Sequence, residues 1–336
     1  MSETPAFAPV RRIVTGHDAA GKAIVISDAP ATNAVRSGRG ESATLVWSSD
    51  RCPADMWTEE DFGARPFGAT PPAEGSLFYV LDVPPGAEAP LRQADTLTYA
   101  MALSGAVDLD LSGSSTRFAA GDVAVLQATG HRWINRGSAP ARLAIAAIDA
   151  RPPPGGRPAV AAPIPPPLPV EAPPDGFSVR RIVTSHDGAG NAVVMWDGEN
   201  PQWTLTPRGI VTRVVWRADE TPADVWTRQD FGAAEADVQP PPRGNWFRVI
   251  DYVAATPGRM HRTDSVDYVV CMAGEIEMLL DDSSVVLRAG DVMVQQGTNH
   301  SWVNKGPGNC RIAFVLIDAK PGAGRTPGHV TLPHPG

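Results

Sequence analysis

The fold is decided by a stretch that occurs twice, GDVAVLQATGHRWIN at residues 121–135 and GDVMVQQGTNHSWVN at residues 290–304. Both copies carry Gly-Asp-Val, then a histidine (His131 or His300), then an asparagine four residues later. Short apolar runs bounded by glycine and other turn residues are typical of β-strands joined by tight turns. The stretch therefore predicts a pair of short strands that is present in two copies, 169 residues apart.

The same spacing of 169 residues extends over most of the chain. RRIVTGHD at residues 11–18 returns as RRIVTSHD at residues 180–187, and IDA at residues 148–150 returns at residues 317–319. A constant offset over so long a span indicates two copies of one domain and not a short-period solenoid. We therefore predict an N-terminal domain over residues 1–150 and a C-terminal domain over residues 176–320.

A proline-rich linker separates the two copies. Residues 151–175 contain 11 prolines, a composition that favours extended polyproline conformation and a semi-rigid spacer able to lie along a surface. The tail over residues 321–336 is rich in glycine and proline, and we expect it either to dock on a domain or to fray.

Turn residues and short apolar runs together predict an all-β protein. Glycine and proline, with 32 and 34 residues, make up about a fifth of the chain, against about an eighth in an average protein. The apolar runs recur at roughly ten-residue spacing without a long helical period, which is typical of a β-sandwich or barrel. Only residues 55–62 and their copy at 224–231 suggest a short helical turn or a lid loop.

Charge and composition exclude several classes of partner. The net charge of −8, without runs of like charge, argues against nucleic acid and against an anionic membrane surface. The sequence shows neither a signal peptide nor a membrane span, so we expect a cytoplasmic protein. Three cysteines without a paired spacing predict free, buried thiols.

The second copy resembles the cupin superfamily over residues 257–304. That family's first motif runs glycine, His-x-His, a glutamate and a later glycine; the second runs Gly-Asp, a turn glycine, histidine and asparagine. His261 and His300 stand at histidine positions, while Thr263 replaces the second histidine and Asp267 replaces the glutamate. With the duplication, the resemblance implies a bicupin: two tandem jelly-roll β-barrels joined by the proline-rich linker.

Barrel geometry suggests why those residues would act together. Side chains two apart on one strand share a face, so His261 and Thr263 point inward together. Two imidazoles and a carboxylate from neighbouring strands can bind one divalent transition metal and leave positions open. We therefore predict Fe, Mn, Zn or Ni at His261, Asp267 and His300, although Asp267 is a methylene shorter than the family's glutamate and can require a bridging water.

The first copy lacks this ligand set. By the offset, Arg92, Ala94, Thr98 and His131 replace His261, Thr263, Asp267 and His300. A guanidinium has no lone pair to give a metal, so no metal is expected in the N-terminal barrel. An interior arginine could instead bind a carboxylate, or it could turn to the interface between the barrels.

The resemblance implies a metal-dependent enzyme that acts on a small carboxylate-, enol- or catechol-like metabolite. Oxygenation, decarboxylation, isomerisation and elimination all remain open, because the fold does not choose among them. The alternative is a non-catalytic bicupin that binds or stores a small molecule, and homo-oligomerisation is left open. The expected substrate contacts, from position alone, are Thr263, Gln296, Trp302 and Tyr268.

Overall fold

A computed structural model describes residues 7–235, 237–322 and 325–332. The first repeat forms eleven strands. They are β1 Arg11–His17, β2 Ala23–Pro30, β3 Ala34–Arg36, β4 Ser42–Ser49, β5 Ser76–Val83, β6 Thr96–Ser104, β7 Ala106–Leu111, β8 Ser115–Ala119, β9 Val123–Gln127, β10 His131–Ile134 and β11 Ala141–Asp149.

The second repeat and the tail form thirteen more strands. They are β12 Arg180–His186, β13 Ala192–Glu199, β14 Thr204–Leu205, β15 Ile210–Ala218, β16 Asn245–Tyr252, β17 His261–Arg262, β18 Ser265–Ala273, β19 Glu275–Leu279, β20 Ser284–Arg288, β21 Val292–Gln296, β22 Ser301–Val303, β23 Cys310–Asp318 and β24 Val330–Thr331. Helical structure in the described residues is limited to short 3-10 turns at Phe62–Ala64, Pro154–Gly156 and Phe231–Ala233. The all-β prediction is confirmed.

Each barrel consists of a large, mainly antiparallel sheet and a small antiparallel sheet around one apolar core. In the N-terminal barrel the eight-stranded sheet runs β13-β12-β9-β6-β11-β5-β4-β3, and the small sheet runs β10-β7-β8. In the C-terminal barrel the corresponding orders are β14-β15-β16-β23-β18-β21-β1-β2 and β20-β19-β22. Side chains of both sheets share one buried cluster in each barrel, as expected for a jelly roll.

The first hairpin of each repeat lies in the barrel of the other repeat. Strand β1 pairs in parallel with β21, where Arg12 lies opposite Val292, and β12 pairs in the same way with β9, where Arg181 lies opposite Val123. The predicted boundaries at residues 150 and 176 are boundaries in sequence, and each barrel contains strands from both sides of them.

A third apolar cluster joins the two barrels. Phe78 stacks on Tyr268 with ring centroids 4.8 Å apart, and Tyr99 packs on Phe247 at the same separation. Both tyrosine hydroxyls also bond across the interface; that of Tyr268 lies 2.7 Å from the Ser76 hydroxyl. Because the cluster draws buried residues from both repeats, the barrels pack as one unit.

The proline-rich linker lies along the second repeat. The indole of Trp196 donates a 3.0 Å hydrogen bond to the Pro165 carbonyl, and Arg228 donates to the Ala162 carbonyl at 3.1 Å. Val160 is buried. The prediction that the linker follows a surface is thus realised through side-chain donors that meet exposed linker carbonyls.

Three local features of the sequence can be compared with the structure: the turns after two histidines, the suggested helical turn and the cysteines. The residues after His17 and His186 form turns, in which Asp18 and Asp187 each accept two backbone N–H bonds. Residues 55–61 form a loop before the 3-10 turn at Phe62–Ala64, capped by Asp61. All three cysteines are free and buried, as predicted.

Candidate active site

Backbone pairing brings His261 and His300 together in the C-terminal barrel. The N–H of each residue donates to the carbonyl of the other, at 2.9 and 2.8 Å, so β17 is held against the residue that precedes β22. The two imidazole rings lie with their centroids 4.2 Å apart. The prediction that the two motifs converge on one site agrees with this arrangement.

Hydrogen bonds orient both rings. The Nδ1 atom of His261 lies 2.9 Å from the Arg259 carbonyl, and that of His300 lies 2.9 Å from the Thr298 carbonyl. Because a carbonyl can only accept, the bond to Arg259 places the proton of His261 on Nδ1 and leaves its Nε2 lone pair free. The side-chain amide of Gln295 also lies 2.9 Å from Nδ1 of His300, so Gln295 is a neighbour of the site that sequence reasoning missed.

Burial keeps both imidazoles neutral. Desolvation lowers the pKa of His261 to about 4, opposed only in part by its bond to the Arg259 carbonyl. Burial also lowers the pKa of His300 well below its usual value, and the neighbouring His261 lowers it further. At neutral pH both rings therefore carry an unprotonated nitrogen that can accept a proton or coordinate a cation.

Asp267 is buried within a chain of hydroxyl groups. The Ser265 hydroxyl donates to Asp267 Oδ1 at 2.5 Å, and the Thr263 hydroxyl lies 2.8 Å from that of Ser265. Desolvation raises the pKa of Asp267 to about 7, while the Ser265 bond lowers it. Thr263 and Asp267 therefore form a polar layer under the site, with the carboxyl group near its midpoint of protonation at neutral pH.

The described residues do not fit the three-ligand metal centre that the motif implies. Among residues 7–235, 237–322 and 325–332, no three His, Cys, Asp or Glu side chains come together in metal-binding geometry. Asp267 is short and already engaged by Ser265, and Thr263 cannot replace an imidazole. Catalytic zinc sites typically use three protein ligands.

A cavity of about 130 Å³ opens beside His261. Its walls combine two arginines and two histidines with apolar and aromatic side chains: Arg208, Ile210, Val238, Tyr252, Arg259, His261, Trp302 and His329. Neither arginine forms an ion pair within the part of the chain that the structure describes. In a protein with a net charge of −8, these unpaired guanidinium groups favour an anionic ligand.

The predicted substrate contacts are divided among different places. Trp302 lines the cavity, and its contact with substrate stays a prediction. Tyr268 lies on the opposite face of β18 from Asp267 and bonds to Ser76 between the barrels. Gln296 likewise points away from the cavity and donates to the Thr15 carbonyl of the exchanged hairpin at 2.9 Å. Strand alternation explains both placements, because each residue follows one that faces inward.

His329 is another site residue that the sequence did not reveal. It lies in the tail, where no strand or motif pattern marks it, yet its ring centroid is 5.5 Å from that of His261. Pairing of β24 with β17 brings it there. The other tail histidine, His334, lies outside the described residues.

The N-terminal barrel retains one histidine in a smaller space. Nδ1 of His131 lies 2.9 Å from the Thr129 carbonyl, as in the other barrel, and burial lowers the pKa of His131 to about 4. Arg92 takes the place of His261, and its guanidinium lies over the ring of Tyr79. The cavity between them is only about 30 Å³, room for about one water molecule.

No helix in the described part of the chain has the length and apolar character needed to cross a membrane.

Comparison with known proteins gives relatives of about one repeat in length. No family model matches the chain. A phomopsin biosynthesis cluster protein C' from Diaporthe leptostromiformis is 32% identical over 158 residues, which are 42% of this chain and 79% of the relative. The cupin-domain-containing oxidoreductase fogC from Aspergillus ruber is 30% identical over 148 residues, which cover 42% and 72%. A third, srdD from Neurospora crassa, carries the same description and is 32% identical, covering 42% and 76%.

Solved structures with similar folds include an oxalate decarboxylase, with a TM-score of 0.46, 12% identity, and coverage of 88% of this chain and 76% of that chain. A cupin 2 conserved barrel domain protein from Leptotrichia buccalis has a TM-score of 0.41, 10% identity, and coverage of 72% and 84%. The duplicated motif, the strand order and the curated relatives agree: the chain belongs to the family of cupin-domain-containing proteins.

Proposed function

We propose that this protein is an enzyme that acts on a small anionic metabolite, a carboxylate or an enol, in the cavity of the C-terminal barrel. One observation carries the proposal: a neutral imidazole, His261, shares a cavity with two arginines, Arg208 and Arg259, that form no ion pair within the described residues. The arginines supply binding for negative charge, and the imidazole supplies a base within reach of the bound molecule.

The cavity walls suggest the shape of the ligand. Ile210, Val238 and Trp302 offer an apolar wall opposite the charged groups. Small-molecule sites commonly combine such a wall with a few polar groups that set the orientation. A compact molecule with one acidic end and one apolar end would satisfy both parts.

The proposed chemistry begins with proton transfer to His261. Its Nδ1–H bond to the Arg259 carbonyl fixes the ring and keeps Nε2 unprotonated, as a general base requires. Removal of a proton from an acidic substrate leaves negative charge that the two arginines would stabilise. Two curated relatives are named oxidoreductases, so the favoured outcome is oxidation, in which an external two-electron acceptor such as dioxygen takes the electron pair that deprotonation leaves on the substrate.

A divalent metal at His261 and His300 remains a prediction of the motif. The bonds from each Nδ1 to a backbone carbonyl are the orientation that metal-binding histidines usually show. The missing third ligand is the specific observation that favours the second candidate function, a non-catalytic small-molecule-binding bicupin.

Binding of benzoate, measured by isothermal titration calorimetry, tests the proposal, with benzyl alcohol as the neutral analogue. We expect benzoate to bind and benzyl alcohol to bind at least about tenfold more weakly. The double variant Arg208→Gln/Arg259→Gln should lose the preference for the anion. Arg39→Gln is the matched control, because Arg39 is the counterpart of Arg208 in the first repeat and lies outside the cavity. Equal binding of both compounds to the wild type would overturn the proposal.

A further inference from the structure

The part of the C-terminal tail over residues 325–332 crosses the mouth of the proposed active site. Strand β24 pairs with β17, so that Thr331 lies opposite His261 and Val330 opposite Arg262. The N–H of Leu332 donates to the Met260 carbonyl at 3.0 Å, and Arg259 donates to the Thr331 hydroxyl. The tail thus adds a short strand beside His261, the first histidine of the first cupin motif.

This pairing places the His329 side chain in the cavity wall beside His261. Its Nδ1 atom is buried and has no hydrogen-bond partner within residues 7–235, 237–322 and 325–332. The ring as a whole is partly exposed and lines the cavity, so that it can donate to or accept from a molecule bound there.

We propose that His329 is a substrate-contacting residue of the C-terminal site, and that the first repeat holds the tail in the position that delivers it. The contact with substrate rests on the function proposed above, whereas the covering of His261 by the tail does not.

Trp57, Gly21 and Asp55 of the first repeat contact the tail, and we call this set of contacts the clasp. The guanidinium of Arg325 stands 4.5 Å from the ring centroid of Trp57 and donates to the Gly21 carbonyl at 2.7 Å. Gly322 lies so close to Trp57 that a Cβ atom there would come within 2.4 Å of the indole. Lys320 forms an ion pair with Asp55 at 2.9 Å. Each of these partners in the first repeat lies in β1–β2 or in the loop before the first 3-10 turn.

Two side chains next to His261 hold the middle of the tail. Arg262 donates to the Thr326 carbonyl at 2.6 Å, and Asp264 accepts a 2.5 Å bond from the N–H of Gly328. Arg262 and Asp264 are both buried, so these bonds to the tail are shielded from solvent.

The first repeat shows that the covering is not a property of the fold itself. The equivalent of His329 is Val160 in the linker, and this segment takes another path: Arg228 donates to the carbonyls of Val160 and Ala162. The segment at Arg92, the equivalent of β17, pairs with His131 at the start of β10, but within the described residues no strand equivalent to β24 pairs with it. The tail covers its barrel through contacts with Trp57, Gly21 and Asp55 of the first repeat, together with the bonds to Arg262 and Asp264 of its own barrel.

The test compares Trp57→Ala and His329→Ala with the wild type. Trp226→Ala is the matched control, because Trp226 is the counterpart of Trp57 and donates to the Arg151 carbonyl instead of holding the tail. The first readout is the rate at which diethylpyrocarbonate modifies His261, followed by mass spectrometry. We expect this rate to rise several-fold in Trp57→Ala and His329→Ala and to stay unchanged in Trp226→Ala.

The second readout is the affinity for benzoate. We expect His329→Ala to bind it about tenfold more weakly, the effect of losing one hydrogen bond to a charged group. If the wild type binds no benzoate, the proposed substrate class fails, and the modification rates still decide whether the tail covers His261. If His261 is modified in both Trp57→Ala and His329→Ala at the same rate as in the wild type, the proposal that the clasp keeps the tail over His261 is wrong. Unchanged benzoate affinity in His329→Ala, in a protein that binds benzoate, would overturn the contact.

Discussion

Arg181 and Asp230 form a bidentate ion pair, at 2.7 and 2.6 Å, in which the two side chains are only 4% and 8% exposed. The pair joins an exchanged strand to the 3-10 turn at Phe231–Ala233, because Asp230 also accepts the N–H of Gly232. In the other repeat the same pair, Arg12 and Asp61, is 12% and 50% exposed.

The difference in burial predicts unequal stability effects. Asp230→Ala leaves a buried guanidinium without its partner and should cost about 3–5 kcal/mol of unfolding free energy. Asp61→Ala removes a largely exposed carboxylate and one cap, and should cost about 1 kcal/mol. Denaturant midpoints of the two variants measure the contrast. Equal losses would show that burial of the pair has no energetic weight here.

Asp267→Asn should stabilise the protein at pH 8. Burial raises the folded-state pKa of Asp267 from 3.8 to about 7, so the folded protein binds a proton that the unfolded chain releases between these values. Stability due to this group therefore falls as pH rises through that window, and the neutral amide avoids a loss on the order of 2–4 kcal/mol.

Thermal unfolding at pH 8 and pH 5 measures this effect as a difference between variant and wild type. The stabilisation should be clearly smaller at pH 5, where the wild-type carboxyl is mostly protonated. A variant that is destabilised at both pH values would show instead that the ionised carboxylate is needed in the folded state.

Measuring the metal content of the purified protein distinguishes two expectations: the motif predicts a bound metal, whereas the arrangement of the ligands predicts weak binding. Because three ligands do not converge, we expect clearly less than one divalent metal per chain after dialysis. Thr263→His, which restores the second motif histidine on the inward face, should raise the retained amount. About one metal in the wild type, lost in His261→Ala and kept in His131→Ala, would restore the predicted centre of Fe, Mn, Zn or Ni.

Tyr268 and Trp302 should behave differently in ligand binding. Tyr268→Phe removes the bond to Ser76 between the barrels and should cost about 1 kcal/mol of stability without changing benzoate affinity. Trp302→Ala removes part of the cavity wall and should weaken benzoate about tenfold. Calorimetric titration of both variants checks the contrast, and a loss of affinity in Tyr268→Phe would place that residue in the site after all.

The fold could be predicted because its signals are local. The motif at residues 290–304 and its copy at residues 121–135 predict strands and turns by their own composition. His261 and His300 could be identified for the same reason, since each occupies a motif position.

The hairpin exchange could not be predicted from the same signals. RRIVTGHD and RRIVTSHD are nearly identical, and so are the strands that receive them, GDVMV and GDVAV. Either hairpin therefore satisfies the local pairing rules in either barrel, and the choice is made by packing over the whole molecule. His329 escaped prediction because its position depends on one short strand in a glycine- and proline-rich tail.

The hairpin exchange gives the first half of the chain a structural role in the C-terminal barrel that does not depend on catalysis. Strand β1 covers the edge of β21, the strand that leads to His300, and β2 covers β1 in turn. Without residues 11–30, that edge would present unpaired N–H and C=O groups to other chains. The first repeat, which carries Arg92 in place of His261, thus still completes the large sheet of the C-terminal barrel. The second repeat completes that of the N-terminal barrel in the same way, so each barrel depends on both halves of the chain.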